Sequence, residues 1–329
     1  MSRWSLGITF FAALVASVVL GVRFDSVPLT TAEILGILGG GGEEWQREIV
    51  WQFRLPRALL GALVGGGLAL AGAAFQALLR NPLAEPYILG ISGGASVGAV
   101  TVLALGLATA TSWSLPLAAF AGALVAILLV FRVATAAGRI MDVRVLLLAG
   151  VVVGAFFSAC IAFILSVSEA RTVQSAVLWI MGSLAGADWR EVALAAAYTV
   201  PAAAVLLGLA RPLNLISVGE ETALYLGADV EQVKRLALGI GALLTAAGVA
   251  VAGVIGFVGL VVPHAVRLLV GSDHRALLPL SFLGGAAFLS LADVVAKLVL
   301  APTEVPIGVI TAFVGVPLFL ILLRRSVAS

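Results

Sequence analysis

Runs without Asp, Glu, Lys or Arg dominate the chain, at residues 4–22, 58–79, 86–131, 145–168, 192–210, 236–266, 276–292 and 305–323. A helix needs about 20 apolar residues to cross a hydrocarbon layer, so most of these runs predict one span each. Two are too long for a single crossing. The run 86–131 is punctuated by Thr, Ser and Pro at residues 110–116, which splits it into two helices. The run 236–266 breaks between Gly253 and Gly259 and again at Pro263, predicting one full helix followed by a shorter one. The expected fold is therefore all-α and polytopic, with about ten transmembrane helices in a single domain over residues 1–329. The first run exceeds the 7–15-residue core of a signal peptide and is read as the first span. At residues 170–186 the apolar positions Val173, Val177, Ile180, Met181 and Leu184 follow a helical period, predicting an amphipathic helix along the interface.

An internal repeat adds to this picture. Shifting the chain by about 181 positions lays the stretch from Leu68 over that from Val249, with Gly72 on Gly253, Pro82 on Pro263 and Gly90 on Gly271. Five spans separate the copies, so the approximate halves 54–168 and 236–325 are expected to be inverted. Glycines four apart, at 61/65, 94/98, 150/154 and 182/186, predict close helix approaches.

Composition agrees: 62% of the 329 residues are hydrophobic and 11% charged, against roughly 25% charged in soluble domains. A net charge of +2 without a clustered basic face excludes a nucleic-acid partner. With the N-terminus inside, seven basic residues fall on the outer side: Arg23, Arg47, Arg54, Arg57, Arg171, Arg190 and Lys297. The other twelve of the 19, Arg139 among them, fall inside, as the positive-inside rule expects, leaving both termini cytoplasmic.

What is missing narrows the function. The lysines, Lys234 and Lys297, lie outside any G-x-x-x-x-G-K-[ST] pattern, so the chain has no P-loop and any ATP and magnesium belong on another subunit. The spans hold few ionisable groups, whereas ion-coupled carriers retain them for function. Asp293 and Lys297 are the exception, placed to pair at i and i+4. His264 and His274 lack a ligand set beyond Asp273, so no metal site is read, and Cys160 reads as a packing residue. No catalytic constellation is visible, so an enzyme is not expected.

The segments RLPRALLGALVGGGLALAGAAFQALLRNPLAEPYILGISGGASVGA (54–99), LLLAG (146–150), WIMGSL (179–184), GEETALYLG (219–227), GFVGLVVPHAVRLLVGSDHR (256–275), ADVVAKL (292–298) and EVPIGVITAFVGVPLFLILL (304–323) carry a resemblance over nearly the whole chain. It is to the FecCD-type permeases of binding-protein-dependent ABC importers for vitamin B12, haem and ferric siderophores. The resemblance implies a type II importer permease in the cell's inner membrane, forming a homodimer with two cytoplasmic ATPase subunits and an external solute-binding protein.

By the same resemblance, residues 217–230 are the ATPase-coupling segment, through Gly219, Glu220, Glu221, Ala223, Leu226 and Gly227; a plain connecting loop is the alternative. Arg54, Arg57 and Lys297 would meet acidic groups of the binding protein, unless they anchor lipid headgroups or, for Lys297, pair with Asp293. Asn81 and Leu83, with Asp142, Val143 and Arg144, would form the cytoplasmic gate; a helix-ending Asn-Pro turn explains the first pair equally. Ser158, Ile161, Ser166 and Thr311 would line the path. Arg171 could greet an anionic ligand, although an interfacial arginine is its plainer reading. The cargo stays open among haem, corrinoid and siderophore. A secondary carrier without an ATPase, and a membrane-embedded enzyme or scaffold, are the rival readings.

Overall fold

The computed structural model describes residues 3–25, 27–108, 113–136 and 142–328; the side chains of Arg3, Ala136, Leu323 and residues 325–328 are not described. Arg139 and residues 109–112 of the loop expected between the third and fourth spans lie outside the described residues. The described residues are helical throughout their regular structure.

Helix α1 (Arg3–Arg23) is followed by α2 (Thr31–Leu38). Thr30 and Glu33 close a capping box on α2, and those bonds to Thr30 hold the Glu33 carboxyl below its ordinary range. Next comes one continuous rod: α3 (Glu44–Glu48), a π-turn (Ile49–Arg54) and α4 (Leu55–Leu78). The π-turn has a local cause. Pro56 cannot donate to Gln52, and its ring would strike that carbonyl, so the preceding turn widens and Leu55 N bonds Val50 O instead. A 3₁₀ turn (Pro86–Leu89) leads into α5 (Ile91–Ala104), then α6 (Ser114–Ala136), α7 (Val143–Ser166), α8 (Ala170–Ile180) and α9 (Trp189–Gly208). The short α10 (Ala210–Val218) and α11 (Glu220–Tyr225) precede α12 (Val230–Ala252), α13 (Val258–Val270), α14 (His274–Leu298) and α15 (Ile307–Ala328).

Among the described residues seven helices are long and apolar enough to cross a membrane, and three shorter apolar ones, in α5, α13 and α15, complete the ten expected. Helix α8 falls where the amphipathic segment was predicted and packs on α5. The break at Gly253 is present, with Gly253 at φ +71° ending α12. No second break follows: α13 runs through Pro263. The proline frees the Gly259 carbonyl from its helical donor, and Gln76 Nε2 sits 3.5 Å from that oxygen and 3.1 Å from Leu260 O, so the helix survives.

The repeat appears in the order of elements. Helices α4, α5, α6 and α7 have 24, 14, 23 and 24 residues, and α12 to α15 have 23, 13, 25 and 22. Each half lends its first helix to the other: α4 packs on α13 and α14, and α12 on α5 and α6. Helices α4 and α12 run antiparallel, Phe75 lying against Gly241 and Val64 against Gly248. The residue register at an offset of 181 does not hold, because Gly72 is in mid-helix whereas its expected counterpart Gly253 ends one.

Backbone contact between helices is glycine-dependent at several crossings. A Cβ on Gly65 would stand 2.3 Å from Gly285 O, and one on Gly94 would stand 2.3 Å from Gly122 O, with the reciprocal positions as tight. Gly150 likewise lies against the Ile88 carbonyl. Gly182 and Gly186, grouped with these by spacing, take φ +78° and +84° in the turn after α8; Gly182 makes a close approach, a Cβ there lying 3.0 Å from Val254 O and 3.1 Å from Ala252 O, whereas Gly186 has nothing within 4 Å.

The tightest approach, Gly72 on Gly259, makes a test. A Cβ on Gly72 would lie 1.8 Å from Gly259 O, whereas one on Gly239 meets nothing within 4 Å. Gly72→Ala is expected to cost about 3 kcal/mol or more and Gly239→Ala almost nothing, read as thermal midpoints of the purified protein in detergent. Equal midpoints for the two variants contradict the packing described.

Candidate functional site

Two features define the bundle's functional geometry: a buried seam of polar groups where helices are broken, and two polar ends of opposite character. The seam forms because α5 and α13, at about 1.5 Å rise per residue, extend only about 20 Å, less than the roughly 30 Å hydrocarbon thickness. Helix α13 starts beside the middle of α4, at Leu68 and Gly72, and α5 starts beside Gly150 and Gly154 of α7, so the irregular backbone before them must find partners inside the protein. Glu85 accepts from Phe257 N at 2.8 Å, Tyr87 Oη donates to Ile255 O at 3.1 Å and receives Ile255 N at 3.2 Å, and Gln76 also reaches Ala84 O at 3.4 Å. Phe257 is at φ +68°, an unfavourable conformation for a residue with a Cβ, and its side chain packs where a Cβ on Gly315 of α15 would lie. Glu85 and Gln76 did not stand out in the sequence. A polar residue within a few positions of the Asn81-Pro82 break, on either side, was the available signal.

One end of the bundle is closed by an ion-pair network. Arg57 bonds both Asp293, at 2.9–3.1 Å, and Glu304, at 2.8 Å. Lys297 Nζ lies 3.5 Å from Asp293 and 3.3 Å from Asp25, and donates to Gly21 O at 3.1 Å. Arg54 donates to Val22 O at 3.0 Å and to Val27 O. The last carbonyls of α1, at the negative end of its dipole, thus receive two cations. Arg54 and Lys297 are only 2% and 3% exposed, and with Arg57 they are occupied within the chain, Lys297 by Asp293 as its alternative reading had it. The i,i+4 pair of Asp293 and Lys297 is present but serves as the centre of a larger group. Exposed charge at this end includes Glu43, Glu44, Arg47, Glu48, Asp188, Glu304 and Arg190, the last beside Trp189, whose indole donates to Trp51 O.

The opposite end is open. Helix α11 is tied back by Glu220 to Lys234 at 2.5 Å, with Arg80 4.0 Å from the same carboxylate. Ala223 faces inward with no exposure, so it is corrected from partner contact to anchor. Val218, Leu224, Tyr225 and Leu226 point outward, Tyr225 at 91% exposure. Next to them a groove of about 790 Å³ brings together Arg80, Asp142, Val143 and Arg144 with Gly219, Glu220 and Glu221. Gly227 takes φ +83° in the turn that follows. Asp142 caps α7 through Arg144 N at 2.7 Å, and the Asn81 side chain accepts from Leu83 N at 2.9 Å, a local turn that leaves Leu83 exposed. The gate residues of the two loops therefore share this end but have different surroundings, and Asn81 and Leu83 do not line the groove. Asn214 ties α10 to Asp273 and His274 at 2.9 and 2.8 Å.

Of the expected path residues, Ser158 and Ser166 are exposed on α7 and Ile161 is half-buried. Thr311 is fully buried with its hydroxyl on Gly308 O at 3.0 Å, which removes it from the lining. The exposed face of α15 instead presents a cleft of about 580 Å³ with Met181, Val254, Phe313, Val316 and Pro317. Arg171 is exposed on α8.

Comparison with known proteins agrees with this arrangement. The profile of the FecCD transport family matches residues 13–325. The cobalamin import system permease protein BtuC of Halobacterium salinarum is 47% identical over 90% of this chain and 79% of its own. The uncharacterized ABC transporter permease protein YvrB of Bacillus subtilis is 40% identical over 99% of this chain and 95% of its own. The vitamin B12 import system permease protein BtuC of Escherichia coli is 43% identical over 84% of each chain. An inward-facing putative metal-chelate type ABC transporter superposes with a TM-score of 0.88 at 31% identity, covering 98% of this chain and 99% of that one.

The ion-pair network yields a graded expectation. Removing one member of a buried pair costs about 3–5 kcal/mol, while a half-exposed one contributes below about 1 kcal/mol. Asp293, with its side chain 3% exposed, and Glu304, at 39%, both bond Arg57. Asp293→Asn should therefore depress the unfolding midpoint in detergent several times more than Glu304→Gln, and equal losses would contradict an internal role for the network.

Proposed function

The chain belongs to the FecCD transport family and is the permease subunit of an ABC importer, and from that premise we propose that its cargo is a corrinoid. The reading is supported by the relatives named for cobalamin and vitamin B12, at 47% and 43% identity. It suits the exposed apolar cleft on α15, where Phe313 and Val316 offer a large ligand shape without strong polar anchors. Haem and a ferric siderophore would use the same surface, and they are the outcomes against which the cargo is tested.

In this proposal two copies of the chain pair with α7 and α15 towards the common axis, and two ATPase subunits dock on the α10–α11 end. The observation that carries the coupling is the exposed apolar tip of α11 beside a charged groove: Leu224, Tyr225 and Leu226 form the kind of short helical anchor that seats in a partner's groove. The binding protein docks at the ion-paired end, on the exposed charges around Arg47 and Arg190, where complementary charge sets encounter rate and register. That end faces outward across the inner membrane and both termini face the cytoplasm. ATP-driven closure of the ATPases moves α11, and access alternates between the two ends. Asn81, Leu83 and the 142–144 loop close the cytoplasmic side.

Tyr225→Asp is expected to reduce co-purification of the ATPase subunit at least tenfold, whereas Ser158→Ala on the path should leave it unchanged; retained association in the first variant removes α11 as the anchor. For the cargo, the cognate binding protein purified with its natural ligand should show a corrinoid absorption spectrum, and vesicles carrying the whole importer should take up that ligand only with ATP. A haem or ferric-catecholate spectrum would displace the corrinoid assignment, and ATP-independent uptake would displace the importer mechanism.

A further inference from the structure

Helices α1 and α14 run parallel, since Trp4 and Arg275 share one end of their contact and Gly21 and Lys297 the other. At the α10–α11 end the two helices separate into a cleft of about 660 Å³, lined by Trp4, Gly7 and Phe11 on one side and by Arg275, Pro279 and Leu283 on the other. Its walls are apolar apart from Arg275, which sits at the rim. Arg275 is exposed, and its guanidinium has no ion-pair partner among the described residues. Trp4 is 86% exposed, and a Cβ on Gly7 would meet nothing within 4 Å, so the absence of a side chain there holds the cleft open.

We propose that this cleft is a binding site for an anionic phospholipid, with the acyl chain between α1 and α14 and the phosphate on Arg275. Three features select that occupant. The cleft runs parallel to two helices that cross the bilayer, over about two helical turns, so an acyl chain enters it along its own direction. The cation is at the end of the cleft and not within it, matching the order of headgroup and chain in a lipid. Tryptophan at the same level favours the boundary between headgroup and hydrocarbon. A soluble phosphate would gain the single Arg275 contact and nothing from the apolar walls. The site lies on the lipid-facing side of α1 and does not depend on the nature of the cargo.

The test uses the assembled importer, stripped of native lipid in mild detergent and incubated with equal amounts of phosphatidylglycerol and phosphatidylcholine. Native mass spectrometry should show phosphatidylglycerol retained about fivefold over phosphatidylcholine, the discrimination expected from one basic side chain at a headgroup. Arg275→Gln should bring the ratio close to one. Gly7→Phe, which projects into empty space, should reduce retention of both lipids. A local readout is quenching by brominated phosphatidylglycerol, taken as the difference between the protein and its Trp4→Phe variant; it should be lost in Gly7→Phe. An unchanged ratio in Arg275→Gln, undiminished quenching in Gly7→Phe, or retention of glycerol phosphate without acyl chains equal to that of phosphatidylglycerol would each overturn the assignment.

Discussion

In a hydrocarbon environment a backbone N–H or C=O without an internal partner costs several kcal/mol, and this requirement governs the bundle. Two helices start part-way across it, so the chain carries irregular backbone where water is absent. Glu85, Tyr87 and Gln76 answer that need, each from the first half of the chain to carbonyls or amides at residues 255–260 of the second. The two halves are consequently joined through the positions where each is weakest. Because α4 also packs among α13 and α14 while α12 packs among α5 and α6, neither half closes its core alone.

The same requirement explains the glycines. Without a hydrophobic force between helices, association relies on close packing, and the backbone approaches at Gly65–Gly285, Gly94–Gly122 and Gly72–Gly259 supply it. Polar side chains are then concentrated at the ends. One end balances Arg57 and Lys297 against Asp25, Asp293 and Glu304, and is tied into α1, α4 and α14. The other holds Lys234 on Glu220 but turns the apolar side chains of α11 outward. A satisfied end and an unsatisfied end are what a subunit presents when one face is stabilised within the chain and the other is completed by a partner.

Much of this was legible in the linear pattern. The apolar runs marked ten helices, the Gly253–Gly259 break was visible as glycine spacing, and the i,i+4 offset placed Asp293 on Lys297. What escaped was information held in distance. Arg54 and Arg57 read as docking or headgroup charges, and Lys297 as either that or a partner of Asp293, because the partners Val22, Val27, Asp25 and Glu304 come from other segments, and a basic residue that breaks the positive-inside pattern looks the same paired or free. Ala223 read as a contact because α11 has only six residues, too few for a period to separate its inner from its outer face. Thr311 failed for the same reason on a helix whose apolar character is nearly uniform. Pro263 read as a stop because its usual cost falls on the carbonyl four residues earlier, and nothing local shows that Gln76 lies beside it.

The connection between the open end and the broken helices is continuous and polar at its start. Glu220 fixes α11 to Lys234 near the beginning of α12, and the other end of α12 is Gly253, where the chain turns towards Phe257. A single helix of 23 residues therefore runs from the α11 ion pair to the irregular turn before Phe257. Helix α12 has no proline, but Gly239 and Gly241 two residues apart and Gly248 beyond them are positions at which it can bend. Phe257 in turn packs on Gly315, in the helix whose exposed face forms the apolar cleft. Helix α11 is thus connected to α15 through one ion pair, one helix and one ring, with the Glu85 carboxylate on the Phe257 amide at the last turn.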